Sequence, residues 1–507
     1  MKLSLHRGSL WVAILLLMTF AVYSWAAEAP LGADNARHLL NRTGFAASAA
    51  EIAEFAKLGR DDAAGQLLGA VQINAKQSPP AWVNEPPIAP LKLRDMTQEQ
   101  RQAELRKNIE RAFELREWWF REMLTTPSPL SEKMTLFWHN HFATSQQKVR
   151  FTPLIYQQHT MLRRNALGNF GTLLREVSRD PAMLIYLDGA NSRKDAPNEN
   201  FAREVMELFT LGEGHYTEQD IKEAARAFTG WSVDRDTGHF MFRRGIHDYG
   251  RKTVLGKTGN FDGDQVIDIL LAKPETAEFI TRKLWKEFVS PVADEAEIRA
   301  LAEKFRNSGY NIAKLMRAML TTDAFYAPGN RAALIKSPVE LVVGTMKQFE
   351  IDAPNLRPFV LASALLGQNV FSPPNVKGWP GGETWINSAT LLGRKQLIDR
   401  LFRNEDRMEA ALRNMDEMAL RNGESPPPGR EARLQRQMER QMGGIRWNLD
   451  KWAEKTTGGG GVAGNAAGVE NMTRVVLAVA PQNPPAAGDK PSDWARQLVY
   501  DPVYQLK

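Results

Sequence analysis

Polar and apolar positions alternate with helical rhythm along most of this chain, and the clearest case is residues 198–212. Phe201, Val205, Leu208 and Phe209 recur as an apolar stripe. Asn200, Arg203, Glu204 and Glu207 recur at three- and four-residue steps on another face. Such a charged set is not the lysine and glutamate mixture of a solvated face. The pattern therefore predicts that Arg203, Glu204 and Glu207 lie buried or at the floor of a cleft.

The same reading predicts helices nearly throughout. A short one spans 33–41. Ser48 with Glu51 forms a capping box for a helix that Gly59 ends. Thr97 opens a long charged helix to about residue 125. Ser128-Pro129 and Thr152-Pro153 pair an N-cap residue with proline at the first helical position, for helices to about 141 and 166. Thr217 caps 221–228, and further helices begin near 263, 274, 294 and 311. Residues 231–255, with aromatics and glycines around Phe240-Met241-Phe242, predict a small hairpin or irregular loop. Residues 77–90 hold five prolines and read as an extended linker, and 372–384 as an ordered loop. Residues 404–452 read as charged, Gln- and Met-rich helix. A glycine tract marks a flexible linker at about 456–470. The segment 471–507 is expected to pack back on the body, with a strand near 474–480 and a last helix at 492–500 whose Trp494, Leu498 and Val499 face inward. The fold class is mainly α: a large compact multi-helix domain over 27–455 with little β-structure.

The first 26 residues change the picture of where the chain works. Lys2, His6 and Arg7 precede an uncharged apolar run at 10–22, and Ser24-Trp25-Ala26 ends in small residues. This is the layout of a cleavable signal peptide, with cleavage after Ala26. The run is short of the roughly 20 residues a membrane span needs, so the expectation is a periplasmic or secreted protein with no stable span once the signal is removed. The chain has no cysteine. Disulfides, thiolate metal sites, a cysteine nucleophile and covalent c-type haem are thereby excluded. The net charge of +6 is small for 507 residues. With no basic stripe carrying interleaved aromatics, it argues against nucleic-acid binding.

Five groups of residues carry candidate chemistry, each with a structural alternative. His139 and His141 are metal-ligand candidates, but two helical positions apart they point roughly 200° from each other. The alternative is imidazoles bonded within the cluster of Phe137, Trp138 and Phe142. Glu204 and Glu207 suit acid/base chemistry, or, with those histidines, a divalent metal. The alternative is an ion-pair network in which Arg203 pairs with Glu207. The loop 188–199 offers Asp and Asn oxygens to a hard cation, or simply makes turns. His247 beside Asp248, with Lys252 near, suits proton transfer or loop anchoring. Trp379 and Trp385 flank glycines, near Lys377 and amides. They suit ligand or sugar binding, as does Arg203, or burial under a rigid loop.

The ordered runs His38-Leu39-Leu40-Asn41-Arg42, Phe137-Trp138-His139-Asn140-His141-Phe142, Tyr186-Leu187-Asp188, Thr229-Gly230-Trp231, Pro373-Pro374-Asn375-Val376-Lys377-Gly378-Trp379-Pro380 and Asp501-Pro502-Val503-Tyr504-Gln505 are similar to those of a large bacterial family known as domain of unknown function 1800. The resemblance spans nearly all of the chain beyond the signal. It implies an exported helical protein that often accompanies an alkaline-phosphatase-like partner protein, and it implies no established activity. Two functions stay open: a metal-dependent or acid/base enzyme acting on an envelope polymer, and a non-catalytic periplasmic scaffold or accessory factor for the phosphatase-like partner.

Overall fold

A computed structural model describes residues 28–88, 94–402, 445, 447–457, 466–486 and 489–507. The expected signal at 1–26, most of the charged stretch 404–452 and the glycines at 458–465 lie outside the described residues. What is described is mainly α-helix, with two small two-stranded sheets.

Helix starts follow local side-chain chemistry. Ser48, Thr97, Thr217, Asp262 and Ser337 each form a capping box, accepting the backbone N–H three residues on while that residue's side chain returns to the cap. Each box satisfies amide donors that a helix start otherwise leaves unpaired. Three expected caps or boundaries change, one being Thr152, which lies within the Thr152–Asn165 helix while Phe151 takes the cap position. The Ala49–Phe55 helix ends at Ala56, and Gly59 instead caps a further helix, Arg60–Gly69. Ser128 precedes the Pro129–His141 helix without capping it, because its hydroxyl pairs with Ser131 Oγ at 2.8 Å.

The Pro129–His141 helix runs through the middle of the body, buried at nearly every position from Leu130 onward. The long Gln98–Thr125 helix is exposed over its first half and buried from Arg111. Its buried half also anchors the proline-rich segment. Glu122 accepts the amides of Lys76 and Gln77 at 2.9 and 2.8 Å, and Trp82 Nε1 donates to Glu114 at 2.6 Å.

Between the helices, Trp231–Val233 pairs antiparallel with Phe240–Phe242, and Lys252–Val254 with Lys257–Gly259. The strand expected near 474–480 is not formed. Ala466–Val476 is a helix whose Met472, Val475 and Val476 are buried. That three- and four-residue spacing makes one helical stripe, which outweighs the β-preference of adjacent valines. The Pro491–Tyr500 helix buries Trp494, Leu498 and Val499 as its pattern predicts. One continuous core takes in side chains from Leu31 to Tyr504. No helix among the described residues is long and apolar enough to cross a membrane.

Candidate functional site

The Glu199–Met206 helix starts at Asn198, whose side chain accepts the Phe201 amide. It then widens into a π-turn at Glu207–Leu211, closed by Thr210 Oγ1 on the Val205 carbonyl at 2.7 Å and by Gly212 in the left-handed region. A π-turn inserts one residue into the helical register and is common at functional sites. Phe201, Val205, Leu208 and Phe209 are buried as the stripe requires.

The polar face does not close on itself. Arg203 is not the partner of Glu207. It makes a two-pronged bond to Glu218 of the next helix, both arms at 2.7 Å, and stays about one-third exposed. The fork of a guanidinium matches the carboxylate it can meet squarely, and that carboxylate comes from another element. The expectation of a buried Arg203 is therefore corrected. Glu204 and Glu207 do lie low, at 9% and, for the side chain, 17% exposure. Glu207 accepts the Tyr216 hydroxyl and has Lys377 Nζ at 3.9 Å, which itself bonds Glu213 at 3.1 Å. Glu204 receives no hydrogen bond among the described residues. Burial raises its carboxyl above the ordinary range, and the charge of Glu207 adds to the rise.

His139 and His141 diverge, as their helical spacing demands. His139 Nε2 meets His159 Nδ1 at 3.1 Å inside a box of Trp119 and Phe371 rings. Burial pushes His139 down to about 3, so it is neutral. His141 faces the other way, with Nε2 on the Phe209 carbonyl at 3.2 Å and Nδ1 against Lys283 Nζ at 3.1 Å. Burial, with the Lys283 charge, holds it well below its usual range. The ligand set of His139, His141, Glu204 and Glu207 is therefore not assembled. Among the described residues no three His, Asp or Glu side chains come together as a metal site. That includes the loop 188–199, where Asp188 pairs with Lys148 at 2.7 Å.

His247 and Asp248 also part company. His247 Nδ1 bonds the Thr229 carbonyl at 2.7 Å, while the Asp248 carboxylate takes Arg226 at 2.7 and 3.2 Å. Lys252 is buried and donates to the carbonyls of Asp248 and Gly250. All three tie the loop down, and Asp248 does not orient the imidazole.

Trp379 and Trp385 are buried, not open to a sugar face. The loop that carries them is clamped by Asn140, whose Oδ1 accepts the Trp379 amide at 2.6 Å and whose Nδ2 donates to the Trp379 carbonyl at 3.2 Å. Gly378 makes the approach possible: its φ is +82°, and a Cβ there would sit 2.3 Å from Asn140 Oδ1. The indole edges instead help close a cleft of about 300 Å³ between this loop and the Pro129–His141 and Pro274–Phe288 helices. Its charged and imidazole lining comprises His141, Lys283, Lys286 and Lys377, with Glu287, Glu340 and Lys507. A larger cavity of about 880 Å³, beside Pro86 and the long helix, touches none of the candidate residues.

Sequence reasoning missed Lys283, Lys286, Tyr216 and the Asn140 clamp. Lys283 and Lys286 stand three apart on one helix face, a spacing that by itself reads as solvated surface. No curated protein and no solved structure matches the chain. Residues 38–482 match the profile of the family described as "Protein of unknown function (DUF1800)". With most of its length matched, the chain belongs to that family.

Proposed function

We propose that the protein is a non-catalytic accessory or scaffold factor of the cell envelope, exported by the segment 1–26 and working with an alkaline-phosphatase-like partner protein. The observation that carries this reading is how the candidate groups are used. His139, His141 and His247 are buried and each bonded within the fold, and Asp248, Lys252 and Arg203 are committed to local partners. A metal-dependent or general acid/base centre needs such groups to converge, with one left open to substrate. The test is fractionation and copurification of the tagged chain from its native host. Recovery from the periplasm or medium without residues 1–26, together with a phosphatase-like protein, is the expected result. Recovery of full-length chain from the cytoplasm alone would overturn it.

One observation favours a second reading, an acid/base enzyme acting on an envelope polymer. Burial and the charge of Glu207 raise the Glu204 carboxyl, while Glu207 holds the Tyr216 hydroxyl and lies near Lys377, and two carboxyls in unlike environments are what acid/base pairs require. Loss of a measured polymer-cleaving activity in Glu204→Gln at unchanged melting would replace the accessory reading. Stoichiometric metal that is lost in Glu204→Ala would do so too.

A further inference from the structure

The cleft beside Trp379 and Trp385 carries cations without counter-ions. Among the described residues Lys283 has no carboxylate within ion-pairing distance. Its Nζ meets His141 Nδ1 at 3.1 Å and lies 4.7 Å from the centre of the Phe279 ring. His141 is neutral, so it offers a lone pair and no charge. Lys286, one helical turn on, makes no ion pair among the described residues and reaches the mouth of the cleft.

The deeper wall does not supply the missing charge. Lys133 and Lys507 share the carboxylates of Glu340 and Glu287, which leaves that group balanced. Around it stand more cations. Arg42 donates to the Phe288 and Val289 carbonyls, Arg394 to Gln505 and the Lys336 carbonyl, and Lys336 lies over the Tyr504 ring. Among the described residues none of these three has a carboxylate of its own, and all feel Glu340 at a distance. Positive charge taken out of water without a partner is costly, and the cost falls when an anion enters. The lysines already show the strain: burial and Lys286 push Lys283 down to about 8, and burial foremost pushes Lys336 to about 7. The lining of the cleft also includes apolar side chains, those of Leu136, Phe137, Pro291 and Trp385.

We infer that this cleft binds a small organic anion, its carboxylate or phosphate group seated on Lys283 and Lys286 and its apolar body against Phe137 and Trp385. The volume of about 300 Å³ lies near the lower end of ordinary ligand pockets. The inference goes beyond the accessory reading, which names no ligand, and depends neither on export nor on the partner protein.

Calorimetric titration of the purified full chain tests it, with phenyl phosphate, benzoate, inorganic phosphate and benzyl alcohol at millimolar concentration in low and high salt. Phenyl phosphate or benzoate is expected to bind, more weakly in high salt, and whichever binds tighter identifies the anionic group. Benzyl alcohol is expected to give no binding, and inorganic phosphate to bind less well than phenyl phosphate. Lys286→Ala, at an exposed side chain, should weaken binding about tenfold at unchanged melting, and Lys283→Met should weaken it further. If Lys283→Met fails to fold, Lys286→Ala decides. Absence of binding by both aromatic anions overturns the site. So does affinity that neither substitution alters, or benzyl alcohol binding as well as the anions. Inorganic phosphate binding as tightly as phenyl phosphate overturns the role of the apolar side chains.

Discussion

Replacing Arg163 by methionine separates a structural from a functional reading of the histidine layer. Arg163 is 3% exposed and serves two glutamates that are fully buried. Its Nε donates to Glu132 at 2.8 Å, its Nη1 to the Gln72 carbonyl at 2.8 Å, and its Nη2 lies 3.5 Å from Glu122. The other oxygen of Glu132 accepts Trp119 Nε1 at 2.8 Å, and that indole packs against His139 and His159. Methionine fills a similar volume but leaves two carboxylates without their cation. Stranding a buried charge costs about 3–5 kcal/mol. With an unfolding entropy of about 2.1 cal/mol/K per residue, a chain of this length loses roughly 1 °C of Tm per kcal/mol, so the expected drop is about 3–5 °C at neutral pH.

The pH dependence has a definite sign. Burial already raises Glu132 above its ordinary 4.5, against the pull of Arg163. A carboxyl raised in the folded state favours folding at low pH and loses that contribution as pH rises through its folded value. Without Arg163 the rise is larger. The deficit of the variant should therefore shrink as pH falls toward the carboxylate range and grow above it. Adding Glu132→Gln should recover part of the loss. Circular-dichroism melts across weakly acid to neutral pH read both effects. A variant melting within a degree of the parent at neutral pH, or a deficit that ignores pH, would show that these charges reach solvent and refute the buried network.

Three further outcomes are expected. Glu204→Gln should melt above the parent at neutral pH and with it below the carboxylate range, because the raised Glu204 disfavours the folded state only once the unfolded chain has ionised; equal melting at every pH would refute the raised carboxyl. Glu207→Ala should cost about 1.5–3 kcal/mol, the value of one charge-assisted bond to Tyr216, since Arg203 keeps Glu218, and a nuclear magnetic resonance titration should show the Glu204 carboxyl falling as its charged neighbour leaves. Asn140→Ala should cost about 1–3 kcal/mol by leaving the Trp379 amide and carbonyl unpaired, with a red shift in tryptophan fluorescence as the loop loosens; unchanged emission would show that the clamp is dispensable.

Local chemistry determined much of this molecule before any tertiary contact is considered. The capping boxes at Ser48, Thr97 and Thr217 are legible because a cap needs only residues three apart. The divergence of His139 and His141 is legible too, because helix geometry alone sends positions two apart to opposite sides. The inward stripe of Trp494, Leu498 and Val499 follows from the same periodicity. Partner choice is another matter. Arg203 had Glu207 within reach on its own helix and took Glu218 from the next one, because that carboxylate meets the guanidinium with both oxygens. Burial likewise decided that His139 is neutral, that Glu204 sits high, and that Trp379 and Trp385 turn their faces inward. The lysine cleft is formed by two helices and a loop far apart along the chain. Lys283 and Lys286 became a candidate site only when packing partly buried Lys283 and brought His141 against it, since spacing records which residues share a face and not what that face meets.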